Sequence, residues 1–336
     1  MSENILSIKE LEKLAQDALI NFGAGNDAAY SVAKAAVRAE SEGNYICGLL
    51  YIPLLCEQLK VEKIKGKAKP SIEIKASAAI TVDASDGLAH PAIELGLPHL
   101  QEAALSSGIA AMTVNNSTNC LALSHFLLPL AQNSLIGLGF ANCPAVMAPP
   151  GGKTPILGTN PISMVVPGKH APKIIIDQSS SAVAMTELIL RRDCGHQLEE
   201  GWALDQDGTP TVDPSKGLAG SMVPSGGYKG FGIALIVEIL SVALSGAQLS
   251  SQANPYFGDK GGPSKTGQCI IAINPMTFNP NFLTVIDDLC SSIESQEGSR
   301  LPGKIKSKNY NHAKKHGLSI EKTFVEQLRS LSTKSN

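Results

Sequence analysis

The chain has 336 residues, 43% of them hydrophobic, and a formal net charge of -2. That length is enough for a sizeable core and two lobes, and the near-neutral balance argues against a nucleic-acid or anionic-membrane partner. Seven cysteines (Cys47, Cys56, Cys120, Cys143, Cys194, Cys269 and Cys290) are odd in number and lack CxxC spacing, which argues against a disulfide framework or a zinc knuckle and for a reducing, cytoplasmic setting.

The N-terminus shows no secretory signal and leads straight into a helix. Ser7 and Glu10 form a capping box, and Leu11, Leu14, Ala15, Ala18 and Leu19 share one face before Gly23. A second helix is expected over about 27–42, with a small-residue stripe of Ala29, Val32, Ala33, Ala36 and Ala39, and a short apolar helix over 49–59. After a basic segment, 60–69, the alternation in 71–75 and 79–83 predicts paired strands. A helix over 90–106 follows Asp86-Gly87, and 109–114 reads as a buried strand running into the polar loop 115–120. A helix over 121–132 and a strand over 136–141 come next.

The middle of the chain holds a rigid loop, Gly151 to Ser163, with glycines that permit close backbone approach, two prolines, and the polar pair Thr159-Asn160. It feeds a strand at 162–166, then a strand at 173–177 ending in Asp177-Gln178-Ser179-Ser180-Ser181, and a helix over 183–193. Residues 195–228 read as loop anchored by Trp202 and Pro224. The apolar window 231–244 is interrupted by Glu238 and is too short for a bilayer, so it reads as a buried helix. A second polar loop (248–266), a strand (268–273), a helix (about 280–293), a turn (301–304) and a helix (about 321–331) complete the chain. Polar residues collect in the loops after strands, where open α/β sheets bind ligands. The order implies an α/β sheet covered by helices, with parallel and antiparallel pairing both open.

No GxGxxG, GxxxxGK[ST] or HExxH occurs. Four motifs taken together are more specific: Gly151-Gly152-Lys153-Thr154-Pro155, Gly158-Thr159-Asn160-Pro161, Asp177-Gln178-Ser179-Ser180-Ser181, and Gly226-Gly227-Tyr228-Lys229-Gly230. In that order they resemble the malate/L-lactate dehydrogenase family, which includes sulfolactate and ureidoglycolate dehydrogenases and the Δ1-piperideine/Δ1-pyrroline-2-carboxylate reductases. The resemblance spans nearly the whole chain. It implies a non-Rossmann NAD(P)-binding fold, with an N-terminal helical region (1–70), a cofactor-binding and catalytic α/β region (71–310) and a C-terminal helix packing back on the core (311–336). It also implies a homodimer acting on a small-molecule carboxylate substrate, with no nucleic-acid or membrane partner and no metal.

By the same resemblance, cofactor is held by Asn119, Cys120, Leu121, Ala122 and Leu123, by Asp177, Gln178 and Ser179, by Lys229, and by Gly303 and Lys304. Basic residues at 304–308 favour NADP over NAD. Thr159 and Asn160 stand at the substrate end. The family's Ser-His-Gly and following arginine are matched here by Ile46, Cys47, Gly48 and Tyr51, and its second histidine by Asn119. The acidic partner of the first histidine is matched by Glu187, and His90 replaces a small or amide residue. Candidate catalytic groups are therefore Cys47, Glu187 and His90, with His125 a further acid, and Tyr51 faces the substrate. A ketone needs a proton donor, whereas a protonated cyclic imine carries its own. The expected activity is NAD(P)H-dependent hydride transfer with a 2-oxo/2-hydroxy acid or a cyclic 2-imino acid. The alternative is a non-catalytic NAD(P)- or metabolite-binding protein of the same fold.

Overall fold

The computed structural model describes residues 3–258 and 260–333. Strand β1 (Glu3–Leu6) precedes helices α1 (Ile8–Asn21), α2 (Asn26–Ser41) and α3 (Tyr51–Lys60). The Ser7 hydroxyl accepts from the Glu10 amide and the Glu10 carboxylate accepts from the Ser7 amide, so the expected capping box starts α1. The apolar stripes of these helices close on one another around Leu11, Leu19, Val32, Ile52 and Leu55.

The hairpin β2 (Ser71–Ala76) and β3 (Ala79–Asp83) leads into α4 (Ala89–Ser107), β4 (Ile109–Ser117), α5 (Leu128–Gln132), β5 (Ile136–Ala141), β6 (Ile162–Val166) and β7 (Ile174–Gln178). The expected helix over 121–132 is instead a 3-10 turn at Leu123–Phe126 followed by α5. Pro129 lacks the amide that would carry a helix through this point, and Leu121 has φ 56.

Between β7 and the next long helix lie α6 (Met185–Asp193), β8 (Ala203–Leu204), β9 (Pro210–Thr211), α7 (Pro214–Ala219) and β10 (Ser221–Met222). The segment read as loop thus folds into a three-stranded sheet, order β10-β8-β9, over an apolar cluster that includes Leu188, Leu198 and Met222, with Trp202 packed against it. Helix α8 (Tyr228–Glu238) continues as a π-helical turn over Ile239–Ala243. Strand β11 (Thr266–Ile273), α9 (Pro275–Phe278), α10 (Phe282–Glu294), α11 (Lys304–His316), β12 (Leu318–Glu321) and α12 (Lys322–Ser332) follow. α11 is a helix where only a turn is expected at its start, and it runs across the expected boundary at 310. Of the C-terminal stretch 311–336, residues 334–336 lie outside the described residues.

The central sheet has seven strands in the order β2-β3-β4-β11-β5-β6-β7. Only β3 and β4 pair in parallel, joined by the α4 crossover, and every other neighbouring pair is antiparallel. One face packs Ile93 and Leu100 of α4 and Leu130 of α5 against Met112, Val165 and Ile270. The other packs Val237 of α8 against Phe140 and Cys269. β1 pairs with β12, and α12 buries Val325 and Leu328 in the helical cluster, so the chain's end closes over its beginning.

Candidate functional site

The loops after β4, β5 and β7 converge with the rigid 151–163 loop and the start of α3 around a cavity of about 460 Å³. Its wall includes Cys47, Tyr51, Asn119, Cys120, Leu121, Ala122, Thr159, Asp177, Gln178 and Ser179 of the residues expected from sequence.

The rigid loop is fixed by its own amide. Asn160, fully buried with φ 35, accepts from the Cys143 amide at 3.2 Å. Its Nδ2 donates to the Ala234 carbonyl at 3.0 Å and to the Glu238 carboxylate at 2.8 Å. The Ser180 amide donates to the Thr159 carbonyl at 2.8 Å, and the Ser180 hydroxyl to the Asn160 carbonyl at 2.7 Å. These bonds stitch the loop to the 178–181 turn and leave Thr159 on the cavity wall, while Asn160 stands behind it.

Asp177, the last residue but one of β7, ties that strand to the 119–124 loop. Its Oδ2 accepts from the Ser124 amide at 3.0 Å and the Ser124 hydroxyl at 2.7 Å. Among the described wall residues, Asp177 is the only carboxylic acid, and none is a lysine, arginine or histidine. Asn119 is oriented by the Leu121 amide, which donates to its Oδ1 at 2.7 Å, and its Nδ2 donates to the Tyr51 hydroxyl at 3.3 Å. The Tyr51 oxygen is thereby an acceptor, and its own proton is free to point elsewhere.

Cys47 ends a 3-10 turn at Tyr45–Cys47. Burial, then the neighbouring Asp177 carboxylate, pushes its thiol up to about 12, against the pull of Lys306 in the first turn of α11. Burial pushes Cys143 up to about 11 and Cys120 well above the usual thiol range. Burial also raises the Tyr51 and Tyr256 phenols. The wall therefore carries neutral S–H and O–H groups around one carboxylate.

Several expected residues lie elsewhere. His90 is buried against Phe126, with ring centroids 5.3 Å apart, outside the wall. Burial, with a smaller contribution from His125, lowers its imidazole to about 3, so it is neutral, and neither ring nitrogen has a partner. His125 faces Glu42 at 3.3 Å. Glu187 is absent from the wall; its carboxylate accepts from the Arg191 Nε at 2.9 Å, and Arg191 lies 5.1 Å from the Trp202 ring centre. The acidic group beside Cys47 is Asp177 instead, because α6 turns Thr186 and not Glu187 toward the cavity.

Leu123 is buried in the core beneath the sheet. Lys229 is exposed in the first turn of α8, and Lys304 is ion-paired with Glu294. Gly303, with φ 90, abuts β7: a Cβ there would lie 2.6 Å from the Ile175 Cβ, so only glycine lets this turn reach the strand.

Sequence reasoning missed Asn44, Cys143, Met185, Thr186, Tyr256 and Gln268 as wall residues. Cys143 had a usable signal, since Asn142-Cys143-Pro144 directly follows a strand. Tyr256 and Gln268 had none, because long-range pairing brings them here. Among the described residues no group of histidines, cysteines or carboxylates is placed to hold a metal ion, and no helix is long and apolar enough to cross a membrane.

Residues 6–329 match the family described as malate/L-lactate dehydrogenase. The chain belongs to that family. It is 35% identical over 328 residues to the (2R)-3-sulfolactate dehydrogenase (NADP(+)) of Chromohalobacter salexigens, covering 97% of each chain. It is 31% identical over 335 residues to a Δ1-pyrroline-2-carboxylate reductase of Ancylobacter novellus, covering 98% of each. The crystal structure of the Δ1-piperideine-2-carboxylate reductase of Pseudomonas syringae pv. tomato superposes with a TM-score of 0.93 at 28% identity, over 98% of this chain and 99% of that one. The mixed sheet with its helical cover is thus the malate/L-lactate dehydrogenase fold, and the protein is a hydride-transferring oxidoreductase of that family.

Proposed function

We propose that this protein reduces a cyclic 2-imino acid of the Δ1-pyrroline-2-carboxylate class, using NADPH. The observation that carries this reading is the cavity wall: one carboxylate, Asp177, among thiols and phenols held protonated by burial, with no cationic side chain and no imidazole among its described residues. Reducing a ketone places negative charge on oxygen and calls for a proton donor matched to neutral pH. A thiol near 12 is a poor one. A cyclic iminium arrives protonated on nitrogen; hydride adds to carbon, the C=N bond becomes C–N, and the nitrogen keeps its proton. The Asp177 carboxylate stabilises the cation, while Tyr51 and Thr159 present hydroxyls to the substrate carboxylate.

A nicotinamide cofactor fits the residues present. Thr186 stands on the cavity wall, and its Oγ1 has no partner. The N-terminus of α8 carries no side-chain cap and stands beside the 178–181 turn, where the Ser225 amide donates to the Ser180 carbonyl at 2.9 Å. Lys229 and the first-turn helix amides there suit a pyrophosphate, and Lys306 and Lys308 suit a 2′-phosphate. The reduced nicotinamide supplies the hydride when bound.

The exposed apolar side chains of Leu235, Ile236, Ile239 and Leu244 on and just beyond α8 support a homodimer, which light scattering on the purified chain tests. The reduction itself is tested by incubating the protein with NADPH and Δ1-pyrroline-2-carboxylate and following proline by mass spectrometry; absence of proline contradicts the reading. The 35% identity to a sulfolactate dehydrogenase favours a second reading, reduction of a 2-oxo acid bearing a sulfonate, for which sulfopyruvate is the test substrate.

A further inference from the structure

We propose that Gln268 reads an N–H group on a bound ligand, making it a specificity-determining residue of this cavity. The inference deepens the reductase reading above. It starts from an irregularity in the sheet. Thr266 pairs with Ser117, but Gln268 pairs with Val114, so two steps along β11 take three along β4. The extra residue forms a bulge, with Asn116 at φ 47, of the kind that re-aims side chains beside active sites. Gly267 is fixed in place: its amide donates to Asn142 Oδ1 at 2.7 Å, and a Cβ there would lie 2.0 Å from the Ser241 carbonyl oxygen.

The bulge sets Gln268 between Ala141 and Val114 at the cavity end of the sheet, 1% exposed and on the wall. Its Nε2 donates to the Thr118 carbonyl at 3.2 Å. A backbone carbonyl can only accept, so this bond fixes which end of the amide faces Thr118. Oε1, the acceptor end of the same amide, is enclosed by the protein and has no partner. A buried amide oxygen left unpaired costs stability, and its persistence at a cavity wall is explained by a ligand donor. An oxo acid offers no donor at its reacting carbonyl. A cyclic iminium offers N–H, and so does the carboxamide of a nicotinamide.

Two ligands of matched shape test the inference without turnover. Pyrrole-2-carboxylate carries N–H where furan-2-carboxylate carries a ring oxygen. Titrated against the protein saturated with NADPH, the pyrrole is expected to bind about 10- to 100-fold tighter. Gln268→Met, which keeps the length and removes the acceptor, abolishes that preference while leaving the NADPH dissociation constant unchanged. This result assigns the N–H to the substrate. If Gln268→Met instead weakens NADPH about 10-fold or more, and the wild-type protein binds the reduced 3-acetylpyridine analogue correspondingly weakly, the N–H is that of the carboxamide, and Gln268 still reads a ligand donor. Equal binding of pyrrole and furan by the wild-type protein, together with equal binding of NADPH and its acetylpyridine analogue, overturns the inference; these wild-type titrations do not depend on the variant folding. A wild-type preference for pyrrole that Gln268→Met abolishes, without imine reduction, contradicts the reductase reading and leaves Gln268's role intact; a preference that the variant keeps, with NADPH binding unchanged, overturns the inference.

Discussion

Asn160 donates to the buried carboxylate of Glu238 at 2.8 Å, and through that bond the loop bearing Thr159 is held to helix α8. The same carboxylate accepts from the Ser250 amide at 2.7 Å and the Ser250 hydroxyl at 2.6 Å. Glu238→Ala would remove the acceptor of three hydrogen bonds in the interior. The expected loss of stability is about 3 kcal/mol, read as a lower urea midpoint at unchanged slope. Turnover falls as well, because Thr159 loses its support.

Asp177→Asn removes the wall's one carboxylate but keeps an oxygen for the Ser124 amide and hydroxyl. The fold is expected to survive, and kcat/KM for a cyclic imine to fall by about 10- to 100-fold, the loss of one charge-assisted contact. Steady-state kinetics with a thermal melt as control checks this. An unchanged kcat/KM would show that the cation is stabilised elsewhere.

His90→Leu is expected to leave turnover within about twofold, since the imidazole is neutral, off the wall and without partners, and removing unpaired buried polar atoms does not weaken the fold. A large loss of activity would place His90 in the proton path.

The raised thiols and phenols give the stability a direction with pH. Cys47, Cys120, Cys143, Tyr51 and Tyr256 all ionise at higher pH in the folded chain than when exposed. Their protonated forms are thus favoured by folding, and this contribution is fully present below the unfolded thiol range, about 8.5. It is lost as pH climbs from there toward the folded values, because the unfolded chain releases protons first. Urea midpoints should fall steadily above about pH 8.5. In the same range, iodoacetamide is expected to modify the exposed Cys194 well before Cys47 or Cys143, as mass spectrometry of the digested protein would show.

Most of the sheet was legible because its strands announce themselves by alternation, as in 79–83, or by an apolar run, as in 109–114 and 268–273. β1 and β12 were not, since each has four residues and its partner lies at the other end of the chain. α11 was missed because it buries almost nothing: Ala313 is its one buried residue, so no apolar stripe betrays it. At the site, Asn119 could be found because it follows a strand in a polar segment, and Thr159 and Asp177 because they stand in the motifs at 158–161 and 177–181 that carry the family resemblance. Glu187 drew attention through a motif match, but a match does not say which way a helix turns its side chains, and α6 turns this one to Arg191. Gln268 gave no local signal at all. Its place depends on β11 inserting between β4 and β5 and on a bulge in the partner strand, neither of which a linear reading contains.

A cavity suited to a substrate that carries its own proton is tested by kcat/KM under NADPH for Δ1-pyrroline-2-carboxylate against pyruvate, oxaloacetate and sulfopyruvate. The cyclic imine is expected to be preferred by about 100-fold or more, the lower end of what general-acid help contributes to a ketone. A preference for any of the three oxo acids would contradict it.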